Sequence, residues 1–182
     1  MQARPFPYRR INVVGTSASG KTTLDRALAA RLDVPAVELD ALHWEADWTE
    51  APVELLRQRV AAATAGDGWV VDGNYSAVRD IVWARAEAVV WLDFPLRTVL
   101  WRYAVRTQRR LRTAEELWPG TGNRERLSMH LVSRDSLLWW ILSTYHRRRR
   151  DYPPLLSANP WLASVRLRSA GAADAWLAAV RP

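Results

Sequence analysis

The octapeptide Gly15-Thr16-Ser17-Ala18-Ser19-Gly20-Lys21-Thr22 constrains this chain more than any other segment. Its glycines, lysine and terminal hydroxyl stand at the spacing of a loop whose backbone amides wrap a phosphate chain. Glycine permits the tight turn and the close approach of backbone to phosphate oxygens. The short apolar run Ile11-Asn12-Val13-Val14 leads into the loop, as a buried parallel strand would. Beyond it, Leu24, Ala27, Leu28 and Leu32 recur at helical spacing, which predicts a helix from about Gly20 to Arg31. Strand, loop and helix in that order aim a helix N-terminus at an anion. Residues Gly15 to Thr23 are therefore the expected ATP contacts, with Lys21 between the β and γ phosphates and Thr22 on magnesium.

Charge supports this reading. The net charge is +7, and of 26 basic residues 25 are arginine, the single lysine being Lys21. A phosphate loop needs a compact ammonium on a flexible stem, for which a planar guanidinium is no substitute. The excess of positive charge points to anionic partners without choosing among nucleotides, phosphorylated metabolites, nucleic acid and lipid. With no cysteine, disulfides, thiolate catalysis and cysteine-ligated zinc drop out. No apolar run reaches the roughly 20 residues a membrane-spanning helix needs, and the first ten residues lack a secretion signal, so the expected location is the cytoplasm.

The length of 182 residues suits one α/β domain over 1–182. Further strands are expected at Ala36 to Leu39, Trp69 to Val71, Ala88 to Leu92 and Ala163 to Leu167. Helices are expected from Pro52 to Thr64, from Leu96 through Tyr103, from Ser128 to Arg150 and from Asp174 to Val180. The pair Pro153-Pro154 is read as the stop for the third of these. Between Arg106 and Glu125 apolar periodicity gives way to charged and turn-forming residues, which predicts a movable polar excursion. Alternating strands and helices favour a parallel sheet covered on both faces.

In such a sheet the carboxyl ends of the strands face one crevice. Asp72 ends the third strand and is the expected second holder of magnesium. Asp40 ends the second, where it would orient or deprotonate an acceptor. His43, Trp44, Asn74 and Tyr75 are further candidate acceptor contacts, although histidine and tryptophan in such positions also serve simply as packing. Arg106, Arg109 and Arg110 are candidates to stabilise charge on a transferring phosphoryl group, against the alternative of a solvated basic face. The run Arg147 to Arg150 reads as cations at a helix C-terminus, and Asp93 as a turn residue before Phe94-Pro95.

With the phosphate loop, Glu38-Leu39-Asp40-Ala41-Leu42-His43-Trp44, Trp69-Val70-Val71-Asp72-Gly73-Asn74-Tyr75 and Val90-Trp91-Leu92-Asp93-Phe94-Pro95, the chain resembles the small adenylate-kinase-like P-loop kinases. It is most similar to the topology-modulation or adenylate-kinase-related proteins. The resemblance implies a three-layer P-loop NTPase fold with five parallel strands ordered 2-3-1-4-5, an acceptor-side insertion near 41–67, a helical lid near 106–125 and a purine-contacting loop near 168–172. Adenylate kinases carry Asp-Gly-Phe-Pro-Arg where this chain has Asp72-Gly73-Asn74-Tyr75-Ser76, so the arginine that engages the acceptor nucleotide is missing. The leading expectation is an ATP- and magnesium-dependent phosphotransferase acting on a nucleotide, nucleoside or hydroxylated metabolite. The competing readings are a nucleotide-dependent regulatory or nucleic-acid-binding protein and a slow NTPase.

Overall fold

Alternation along single strands separates two apolar layers. The structure is a computed structural model that describes residues 6–126, 129 and 136–181. Strand β1 (Arg10–Gly15) buries Ile11 and Val13 in one cluster and Val14 in the other; strand β4 (Ala88–Leu92) sends Ala88, Val90 and Leu92 one way and Val89 and Trp91 the other. A strand apolar on both faces needs cover on both. Helices α1 (Lys21–Leu32), α5 (Leu96–Thr113) and α7 (Ala170–Ala179) supply it on one face. Helices α3 (Val53–Ala63) and α4 (Arg79–Arg85) supply it on the other. Helix α6 (Leu137–Ser157) serves both, with Ile141 in the first cluster and Tyr152 in the second.

The remaining strands are β2 (Ala36–Glu38), β3 (Trp69–Asp72) and β5 (Ala163–Leu167), and the sheet is parallel throughout in the order β2-β3-β1-β4-β5. Register brings Glu38, Asp72, Gly15 and Leu92 to one end of the sheet. That end carries the crevice. Asn12 ties α4 to the sheet from within the core: its Nδ2 donates to the Val71 carbonyl at 2.9 Å, and Trp83 Nε1 donates to its Oδ1 at 2.9 Å.

Several boundaries differ from expectation. Helix α5 does not yield at Arg106 but runs to Thr113, where Ala114 takes a left-handed conformation (φ +46°) as its cap. The arginines there lie on a helix, and of the predicted excursion only the part from 114 onward is irregular. Helix α6 does not stop at Arg150. It passes through Pro153 and Pro154, whose missing N–H groups are offset by burial of Tyr152 and packing of Leu155 and Leu156 on the second core. Its expected start at Ser128 lies outside the described residues. A short helix α2 (Leu39–His43) follows β2 directly, so Asp40 sits in a helical turn and not at a strand end. Helix α4 was not foreseen. Helix α7 begins at Ala170, with the Ser169 hydroxyl accepting from Ala172 N, which leaves little loop after β5.

Candidate active site

The phosphate loop keeps glycine where no other residue fits. A Cβ on Gly15 would lie 2.7 Å from the Leu92 carbonyl oxygen, and Gly20 combines φ +94° with Arg102 Nη1 at 2.6 Å from a Cβ position. Helix α1 begins at Lys21, so its free N-terminal amides open onto the loop. Lys21 Nζ lies 3.8 Å from Asp72 Oδ1, and the Thr22 hydroxyl donates to Asp72 Oδ2 at 2.5 Å. Asp72 is 4 % exposed, and burial pushes its pKa up to about 6 against the opposing pull of Lys21 and Thr22. Its Oδ1 has no hydrogen-bond partner. A hydroxyl and a carboxylate oxygen side by side are hard donors of the kind magnesium takes; among the described residues no larger acidic or histidine cluster gathers, so such an ion would complete its shell with phosphate and water.

Across the crevice, the Tyr75 hydroxyl donates to Asp40 Oδ1 at 2.6 Å, and burial together with the Asp40 charge raises the phenol pKa. The His43 ring lies 4.8 Å from the rings of both Trp44 and Tyr75, and its Nε2 is 3.8 Å from Glu50. Trp44 and Trp48 meet edge to face at 5.6 Å, and Trp48 and Trp118 at 5.7 Å. Trp118 Nε1 donates to Glu38 at 3.2 Å, while Asn123 accepts from Trp48 N at 3.0 Å and donates to the Glu45 carbonyl at 2.8 Å. These bonds hold the 114–126 segment against the segment between α2 and α3. Asn74 lines the cleft, but its amide is engaged by Gly15, whose N–H donates to Oδ1 at 2.9 Å and whose carbonyl accepts from Nδ2 at 2.6 Å.

Lys21, Asp40, His43, Trp44, Trp48, Tyr75, Arg106, Arg109 and Arg110 all border one continuous cleft. The three arginines are not equivalent. Arg109 pairs with Glu115 at 3.0 Å and Arg110 with Glu125 at 2.5 Å, whereas burial lowers the pKa of Arg106; the Nε atoms of Arg106 and Arg110 both lack a hydrogen-bond partner.

Four further residues take places that sequence reasoning did not assign to them. Arg148 borders the cleft, burial lowers its pKa, and its Nη1 has no partner. Arg102 donates to the Ser19 carbonyl at 2.7 Å and lies over the Phe94 ring. Asp25, 1 % exposed on α1, has its pKa pushed up to about 9 by burial and by the charges of Asp72 and Glu38. Asp93 is no ordinary turn residue: it is 3 % exposed and pairs with Arg149 at 2.7 Å and Arg166 at 2.6 Å.

The expected cluster of cations at a helix end is dispersed around the middle of α6. Arg147 lies over Trp140, Arg148 faces the cleft, Arg149 meets Asp93 and Arg150 meets Asp151. The spacing Tyr145, Arg148, Arg149, Tyr152 was the available signal, since it marks one helical face once the helix is carried through the prolines.

No family model matches the sequence, and comparison with curated proteins finds no match. Solved structures do match. A shikimate kinase from Bacteroides thetaiotaomicron aligns over 94 % of this chain and 95 % of its own, with TM-score 0.55 and 18 % identity. A gluconokinase from Sinorhizobium meliloti 1021 aligns over 96 % and 94 %, with TM-score 0.51 and 21 % identity. A shikimate kinase from Acinetobacter baumannii in complex with shikimate aligns over 93 % and 89 %, with TM-score 0.55 and 17 % identity. The chain has the fold of the small P-loop kinases. At these identities the likeness is one of fold, and the site must carry the rest.

Proposed function

We propose that this protein is an ATP- and magnesium-dependent phosphotransferase whose acceptor is a small molecule bearing a hydroxyl and an anionic group. One observation carries the reading: Lys21 and Thr22, both in contact with the buried Asp72, and the Tyr75-bound Asp40 line the same cleft. In this reading the loop amides and Lys21 bind the β and γ phosphates, and Thr22 and Asp72 hold magnesium, which neutralises phosphate charge when bound. Asp40, oriented by Tyr75, accepts the proton of the acceptor hydroxyl. Arg106 stabilises charge on the transferring group, and the 114–126 segment serves as the lid that excludes water.

The anionic part of the acceptor is assigned to Arg148, because a buried guanidinium with an unpartnered Nη1 is a costly group to keep without a ligand for it. Solved proteins of this fold include a shikimate kinase and a gluconokinase, which supports a hydroxylated metabolite over a nucleoside monophosphate. The same reading treats the chain as one cytoplasmic catalytic domain related to the topology-modulation proteins. Among the described residues no helix is long and apolar enough to cross a membrane.

The test is a screen of sugar acids, other hydroxy acids, sugars, nucleosides and nucleoside monophosphates with ATP and magnesium, scored by phosphorylated product. Product from an anionic hydroxylated acceptor, lost in Lys21→Ala, is expected. ATP turnover that survives Lys21→Ala overturns the assignment.

A further inference from the structure

Asn74 follows the strand that ends at Asp72, and its side chain faces the first residue of the phosphate loop. The carboxamide reads the Gly15 peptide group from both sides, since Oδ1 accepts from Gly15 N at 2.9 Å and Nδ2 donates to Gly15 O at 2.6 Å. A second donor fixes which end of the amide is which: the buried Tyr152 hydroxyl donates to the same Oδ1 at 2.9 Å. Tyr152 in turn stacks on Trp91 of β4, with ring centroids 5.4 Å apart. Gly15 is thus held by the sheet on one side and by an oriented amide on the other, and it is the residue from which the loop departs.

We infer that Asn74 is a positioning residue for the phosphate loop, set in its working orientation by Tyr152, and that this pair fixes the loop for the triphosphate. The inference rests on the reading that Gly15 to Thr23 binds ATP. Its logic is donor and acceptor matching. An isosteric aspartate would keep the acceptor facing Gly15 N but would set an oxygen against Gly15 O, replacing an attraction of 2.6 Å by a repulsion. The loop would move off Asn74, and its amides would no longer converge on one phosphate chain. Loop positions are felt strongly because binding and transfer depend on placement to within a fraction of an ångström. The residue after Asn74 is Tyr75, which holds Asp40, so one short stretch of backbone carries contacts to both the donor loop and the acceptor acid.

The experiment measures binding of a fluorescent ATP analogue with magnesium to the full chain and to the Asn74→Asp and Tyr152→Phe variants. Samples are first shown to be folded by circular dichroism, and the urea midpoints of the nucleotide-free proteins are recorded. Asn74→Asp is expected to raise the dissociation constant about tenfold or more, and Tyr152→Phe about two- to fivefold, in samples that remain folded during the titration. A folded Asn74→Asp that binds as wild type does overturns the inference. If Asn74→Asp fails to fold, Tyr152→Phe decides by the same criterion, an unchanged dissociation constant being the overturning result. Failure of the wild-type chain to bind the analogue overturns the ATP reading itself, and the inference with it.

Discussion

The Tyr75 hydroxyl donates to Asp40 Oδ1 at 2.6 Å. A charge-assisted bond of this kind contributes about 1.5–3 kcal/mol. Tyr75→Phe removes it while keeping the ring against His43, so formation of phosphorylated product should fall about 10- to 100-fold. Steady-state product formation measures this, and a variant with wild-type turnover would remove Asp40 orientation from the mechanism.

Arg148 should trade stability for recognition. Its buried guanidinium lacks a partner at Nη1, so Arg148→Met is expected to raise the urea midpoint of the free protein. The same variant should raise KM for the anionic acceptor about 10- to 100-fold. Denaturation and acceptor titration, run on one preparation, test both halves.

Asp25 makes stability depend on pH in a direction opposite to that of a salt-bridged acid. Its pKa rises from 3.8 to about 9 in the folded chain. Between those values the folded state keeps a proton that the unfolded state releases, so stability falls as pH rises, by at most about 1.4 kcal/mol per pH unit. Asp25→Asn removes the dependence. Its advantage over wild type should grow from about pH 5 to about pH 8 and level off above about pH 9, as read from urea midpoints across that range.

Asp93→Asn should destabilise the fold by about 1–3 kcal/mol, because it leaves Arg149 and Arg166 without their shared carboxylate. Both arginines are more than a third exposed, which keeps the effect below that of a fully buried pair. Thermal or urea unfolding measures it.

The sheet was legible because β1 to β4 are short runs ended or followed at once by glycine or an acid, and β5 alternates exposed residues with more buried ones. Ala88 to Leu92 and Ala163 to Leu167 fall where the pattern places them. Lys21, Thr22 and Asp72 were legible for the same reason, since strand ends of a parallel sheet converge. Arg148 was not. Its place on the cleft depends on α6 continuing through Pro153 and Pro154, and local preference forbids what the burial of Tyr152 secures. Asn74 points to a different limit. Its residue type marks it as polar and available, but only the close approach of β1 and β3 shows that its partner is the Gly15 backbone. Arg106 and Arg110 look alike in the sequence, and what separates them is the Glu125 carboxylate, 15 residues further along the chain from Arg110.

The single lysine has a consequence outside the reaction. An endoproteinase specific for lysine has one peptide bond to cut in the whole chain, Lys21 to Thr22, at the start of α1, where the lysine side chain is only 14 % exposed. Cleavage there requires the first turn of that helix to open, so the digestion rate reports the opening of the phosphate loop, by local or by global unfolding. Any small molecule that orders the loop will slow that cut, which turns an ordinary gel into a ligand screen for this protein.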